Sequence, residues 1–283
     1  MALFNAAPWL EEVERVLAMF GSPEPITPTA GWLGGFPGFV LHSQDTDGDK
    51  IVVDVVDRPW PDDMGDPQET PDLFSCWCLG GFGPHVYPGG LERAAQHAYA
   101  VPAAQALVSQ HRAFVRLRKL PPPRAEPLND LAWLVAVTRA LLEQPKALAY
   151  FQPNGEVLLD RTALEATLLR VERTGLPALD LHVNVRVWNV EGAKNWRLLD
   201  TVGLDQVLVP NIEAVFDADR YSEDTVARFV RNVSLYQLQQ GDALADGNTI
   251  EGPGGKWRVE RLDEGRASPP RSVVRLTTSE VER

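Results

Sequence analysis

The chain has 283 residues, 44% of them hydrophobic and 23% charged, enough to bury a substantial core as one large domain or two small ones. No apolar run approaches the roughly 20 residues that cross a bilayer. The opening MALFNAAPWLEEVERVLAMF carries three glutamates and no basic region, so it does not read as a signal peptide, and a cytoplasmic protein is the expectation. Of the net charge of −12, −11 falls within residues 1–72, where fourteen acidic residues face only Arg15, Lys50 and Arg58. Nucleic acid and anionic membrane both need a basic footprint, which this lobe lacks. A basic protein partner suits it better, because complementary potentials speed encounter; solubility alone is the plainer reading of the same charge.

Pro8 to Phe20 reads as an amphipathic helix, since Leu10, Val13, Val16, Leu17 and Phe20 recur at helical spacing. Residues 22–38 read as a Pro/Gly loop anchored by Trp32 and Phe36. Phe39–Ser43 and Lys50–Val56 read as a hairpin around Asp45-Thr46-Asp47-Gly48-Asp49, where Asp-Gly is a strong turn signal. That run fails as a calcium loop, because Lys50 and Val56 stand where glycine and a carboxylate are required.

Residues 52–91 then hold Pro59, Pro61, Pro67, Pro71, Pro84 and Pro88 and show no helical or strand period beyond Val56. Segments this long without regular structure are usually functional or disordered. Trp60, Phe74, Trp77, Phe82 and Tyr87 carry too much apolar surface to remain in water, so the expectation is an ordered loop pinned to a sheet by its aromatic side chains. Asp57, Arg58, Trp60, Asp62, Asp63, Asp66, Glu69 and Asp72 are the candidate partner-binding residues.

Gly90–Tyr99 and Ala103–Gln110 read as helical segments, and His111–Leu120 as a strand. Pro121-Pro122-Pro123 stiffens a connector that divides an acidic N-terminal lobe, 1–120, from a C-terminal lobe, 124–283; one continuous domain fits equally well. Pro127–Gln144 is a strongly apolar helix. Ala147–Phe151 and Glu156–Leu159 pair across Pro153-Asn154-Gly155, and Arg161–Thr174 is a helix closed by Gly175. Leu179–Val190 alternates and pairs with Trp196–Thr201. Asn211–Phe216 is a strand, and Ser222 caps a helix from Glu223 to Gln240. Trp257–Leu262 and Ser272–Leu276 form a last pair. Strands without a regular βα rhythm point to an α+β class with largely antiparallel sheets, packed helices and one long ordered aromatic loop.

No G-x-S-x-G elbow, Walker loop or H-E-x-x-H is present. Gly80-Gly81-Phe82-Gly83 does not run into a helix and lacks the dipole of a phosphate loop. His42, His85, His97, His111 and His182 show no metal-ligand spacing. A zinc site from Cys76, Cys78, His85 and Asp72 would need a C-x-C pair, where structural zinc uses wider spacing. No catalytic residue, cofactor or metal is therefore expected, and the two cysteines read as reduced packing thiols. Asp54, Asp57, Asp62, Asp63 and Asp66 could hold magnesium or act as acid and base, but such clusters more commonly form a solvated or partner-facing surface.

VVDVVDRPWPDDMGDPQ, FGPHVYPGGLERAAQHAY, HRAFVRLR, ALAYFQPNGEVL, LDLHVNVRVWN, LLDTVGLDQ and RFVRNVSLYQLQQGDALADGNTIEGPGG together resemble the bacterial domain of unknown function 4261. The likeness runs from about Phe39 to Gly255, and DRPWPDDMGDP and FGPHVYPGGLERA are its most distinctive parts. The resemblance carries over no catalytic residue. By analogy, soluble bacterial families of this kind often neutralise toxins or serve secretion systems. The functional expectation is a non-enzymatic binding protein, namely a cytosolic immunity protein that binds a basic cognate toxin. A hydrolase using the loop carboxylates, with or without a metal, is the alternative.

Overall fold

The structure, a computed structural model, describes residues 1–27, 35–44, 49–120 and 127–278. Among them are seven α-helices and thirteen strands in two largely antiparallel sheets, an α+β fold. The chain divides into two compact units, Met1–Leu181 and His182–Arg283. Trp32, the turn at 45–48 and the connector Pro121-Pro122-Pro123 lie outside the described residues.

The first unit carries strands β1 (Ala2–Phe4), β2 (Gly21–Ile26), β3 (Gly38–Ser43), β4 (Lys50–Val56), β5 (Ala113–Leu120), β6 (Ala147–Gln152) and β7 (Val157–Leu159). They form one sheet in the order β2-β3-β4-β5-β1-β6-β7, with every neighbouring pair antiparallel. Its helices are α1 (Leu10–Leu17), α2 (Pro71–Cys78), α3 (Gly90–Gln96), α4 (Ala104–Gln110), α5 (Pro127–Leu141) and α6 (Arg161–Thr174).

Three local features differ from expectation. Ala2, Leu3 and Phe4, fully buried, form a short strand between β5 and β6; three residues are too few to show a period. Gly21–Ile26 is an edge strand rather than a loop. Its Pro23 and Pro25 are tolerated because an edge strand need not donate on its outer side. Finally, the aromatic loop contains a helix, α2, whose Pro71 stands at a first-turn position where a missing N–H costs nothing. α2 closes in a Schellman arrangement: Gly81 N–H donates to the Cys76 carbonyl and Gly80 N–H to that of Trp77. Gly80 takes φ +66° there, a conformation that suits glycine. On this helix Cys76 is buried and Cys78 exposed.

The second unit carries β8 (Asn184–Asn189), β9 (Trp196–Val202), β10 (Asn211–Asp217), β11 (Thr249–Gly252), β12 (Gly255–Leu262) and β13 (Val273–Thr278), with the helix α7 (Glu223–Gln240). The sheet order is β11-β12-β13-β10-β9-β8. β10 and β13 run parallel, and the other pairs are antiparallel. Side chains alternate across a sheet, so Leu199, Ala214, Leu276 and Val259, which register with one another, share a face with Trp257. Trp257 stacks on Phe229 of α7 at 5.2 Å between ring centroids, which identifies this as the apolar, helix-covered face.

Candidate functional site

The acidic loop is built around Trp60. Its ring lies 6.3 Å from Trp77 and 5.2, 5.5 and 5.7 Å from Phe82, Phe114 and Phe151, and it is only 4% exposed. Edge-to-face packing of this kind adds to simple area burial. Of the anchors expected from sequence, Trp60 and Trp77 join the core and Phe82 packs against it, whereas Phe74 is only partly buried and Tyr87 is 37% exposed. Trp60 is an anchor, withdrawn from any surface a partner could touch.

Asp62 is likewise structural. Its two carboxylate oxygens accept the N–H groups of Leu91 and Glu92, each at 2.8 Å, and its carbonyl accepts Gly89 N–H. It closes the first turn of α3 from 29 residues away. Burial raises the Asp62 carboxyl above the ordinary range, opposed by those two N–H bonds and by the Arg93 guanidinium. Beside it Arg93 donates through Nε and NH2 to Glu156 Oε1 at 2.9 and 2.5 Å. Glu156 is 2% exposed and takes φ +49°, an unusual conformation for a side chain of this size.

The remaining carboxylates face solvent. Asp63 Oδ1 accepts Gly65 N–H at 2.7 Å, and Asp66 Oδ1 accepts the N–H groups of Gln68 and Glu69 at 2.6 and 3.1 Å. These short-range turns set the loop's path. Asp57, Arg58, Glu69 and Asp72 are exposed, with the Arg58 guanidinium over the Phe36 ring at 5.0 Å. Leu79, at the end of α2, is 83% exposed. The loop thus presents Asp57, Asp63, Asp66, Glu69 and Asp72 on a backbone whose own aromatic residues tie it down. Among the described residues no group of three or more His, Cys, Asp or Glu side chains could hold a metal ion, and no helix is long and apolar enough to cross a membrane.

The second unit holds an arrangement that the sequence did not announce. Opposite the α7 face, Arg186, Asp200, Glu213 and Arg275 occupy matched positions on β8, β9, β10 and β13. Asp200 is fully buried. Its Oδ1 accepts Arg186 Nε at 3.1 Å and Trp188 Nε1 at 2.9 Å, and its Oδ2 accepts Arg186 NH2 at 2.5 Å and also Arg271 NH2. Burial alone would raise its pKa, but the Arg186 and Arg271 guanidiniums and these hydrogen bonds hold it below the ordinary carboxylate range. Glu213 accepts Arg275 NH2 at 2.8 Å on Oε2, and the N–H groups of Arg266 and Ala267 at 2.6 and 3.2 Å on Oε1. Two carboxylates registered as direct cross-strand neighbours would repel. Three guanidiniums offset them.

Residues 200–277 match the family model of a domain of unknown function (DUF4261). The resemblance read from the sequence is therefore shown over that segment, while DRPWPDDMGDP and FGPHVYPGGLERA lie outside it. No curated protein and no solved structure matches the chain. The matched segment contains Asp200, Glu213, Arg271 and Arg275 but none of the acidic-loop residues. Alternating strands hid the charged layer from sequence inspection, because Arg186 and Arg275 read as the solvent face of half-buried strands. A signal was available in Asp200 and Glu213, the one acidic residue in each of the mostly apolar stretches LLDTV and NIEAVF.

Proposed function

We propose that the protein is a non-enzymatic binding protein of the immunity type, which neutralises a basic bacterial toxin in the cytoplasm through its acidic loop. One observation carries this reading: the exposed carboxylates Asp57, Asp63, Asp66, Glu69 and Asp72 sit on a backbone already ordered by Trp60, Trp77 and its own turns. A preordered surface loses little conformational entropy on binding, and a cluster of one sign steers a partner of the other. Leu79, at the far end of the helix that carries Asp72, adds an exposed apolar side chain, and interfaces combine apolar and polar residues in this way. The hydrolase alternative is less well supported, because the oxygens of Asp62 are engaged at the start of α3.

The test is association with a purified basic candidate toxin, followed by stopped flow at several salt concentrations. The triple substitution Asp57→Asn, Glu69→Gln and Asp72→Asn removes charge without touching the turn bonds. It should slow association while leaving dissociation nearly unchanged, as charges at an interface rim do. Salt-independent association, with full protection retained by the triple variant, would reduce the acidic loop to a solubility feature.

A further inference from the structure

Residues 263–272 connect β12 to β13 across the charged face of the second unit's sheet. Asp263, Glu264, Arg266, Ser268, Pro270 and Ser272 point outward and are exposed, while Ala267 and Pro269 are buried. Ala267 packs with Leu198 and Val215 in a small apolar cluster beside Trp188, Val190 and Trp196. Polar contacts add to this hold. Glu213 takes two of its backbone N–H groups, and Arg271 donates to Asp200, to the Thr201 carbonyl at 3.0 Å and to the Pro269 carbonyl at 2.6 Å. A Cβ on Gly265 would stand 2.4 Å from Glu213 Oε1, so the chain passes over this carboxylate at a distance that only glycine permits.

Asp200 does not need Arg271 in order to be paired. Arg186 forks onto both of its oxygens and Trp188 caps one of them. Withdrawal of Arg271 leaves that pair intact and returns the Arg271 guanidinium to water. No buried charge is stranded, and the recovered hydration offsets much of the lost attraction.

We propose that residues 263–272 form an autoinhibitory strap, in which Arg271 occupies in cis an arginine-binding site formed by the Asp200 carboxylate and the Thr201 carbonyl, and that an arginine of a basic protein segment displaces it. The proposal rests on the basic-partner reading and adds to it a second contact point within the family-matched segment. Exchange of one guanidinium for another preserves the hydrogen bonds at Asp200. The affinity of the incoming arginine is then reduced by the fraction of molecules in which the strap is closed.

The probes are hexa-arginine and hexa-lysine peptides, titrated against the full chain. With the unmodified protein, hexa-arginine should speed amide hydrogen exchange at residues 264–271 while leaving β10 and α7 unchanged, and hexa-lysine, which lacks the planar fork, should do so much less. Arg271→Gln removes the competitor and should bind hexa-arginine about tenfold more tightly; Arg266→Gln, an exposed strap residue, should not. Unchanged or slowed strap exchange in the unmodified protein overturns the proposal, as does an Arg271→Gln variant that folds but binds no tighter. The acidic-loop triple variant separates the two readings. If it abolishes peptide binding while Arg271→Gln has no effect, the strap proposal fails and the loop reading stands. If it leaves hexa-arginine binding intact and Arg271→Gln still tightens it, the loop reading fails and the strap stands.

Discussion

The backbone N–H of Trp60 donates to Nε2 of His111 at 3.0 Å. The same ring bonds the Val108 carbonyl through Nδ1, so His111 is neutral, with its proton on Nδ1. Burial lowers its pKa, in keeping with that state. One ring therefore joins the start of the acidic loop to the end of α4, and the aromatic cluster closes over the joint. The exposed carboxylates are presented from a rigid base, which is what a steering surface requires.

Trp77→Ala tests that base. The ring lies 4.3 Å from Phe82 and 6.3 Å from Trp60, so its loss leaves a cavity within a packed aromatic group. Stability should fall by about 3–5 kcal/mol, read as a lower midpoint in urea with an unchanged slope. An unaltered midpoint would mean that the loop is not anchored through this cluster.

Arg93 and Glu156 are 63 residues apart in sequence and buried together, at 16% and 3% side-chain exposure. Arg93→Ala should cost about 3–5 kcal/mol, because it removes a guanidinium that donates twice to a buried carboxylate. Adding Glu156→Gln should recover a large part of that loss, since a neutral amide is cheaper to keep buried than a carboxylate. A double-mutant cycle in urea measures the coupling; strict additivity would mean that the pair contributes nothing beyond its separate contacts.

Local signals in the sequence were legible and long-range ones were not. The hairpin β3–β4, the Asp160-capped and Gly175-closed α6, and α7 behind Ser222 all stand where their caps and periods place them. β1 was missed because three apolar residues have no measurable period. β2 and α2 were missed because their prolines suggested loop in an edge strand and in a first helical turn. Of the candidate site residues, Trp60 and Asp62 turned inward. Their partners are His111, Leu91 and Glu92, each some thirty to fifty positions away, and spacing along the chain cannot reveal them. The Asp200 layer was hidden for the same reason, with Arg271 lying 71 residues beyond its carboxylate.

Asp62→Ala should cost about 1–2 kcal/mol, the usual range for a lost helix-end acceptor. Asp63→Asn should be nearly neutral, because the amide keeps an oxygen for Gly65 N–H. Thermal melts of the two variants, side by side, separate the structural carboxylate from the exposed one. Equal effects would mean that Asp62 is no more structural than its neighbour.

His182 gives the molecule a pH dependence whose sign can be fixed. Its ring is 2% exposed, and burial lowers its pKa from 6.5 to about 4. The folded protein therefore holds this ring neutral over a range in which the unfolded chain protonates it. Protonation favours the unfolded state as pH falls from 6.5 toward 4; above 6.5 the effect is absent, and below 4 it is complete. The full loss amounts to about 3 kcal/mol. His111, also lowered, acts in the same direction, whereas Asp62, raised by burial, acts in the opposite one. Comparison with His182→Leu isolates the contribution of His182. Urea unfolding at pH 7, 5.5 and 4 should show the unmodified protein losing more stability than the variant at each step. Parallel pH profiles for the two proteins would mean that His182 is hydrated in the folded state and titrates normally.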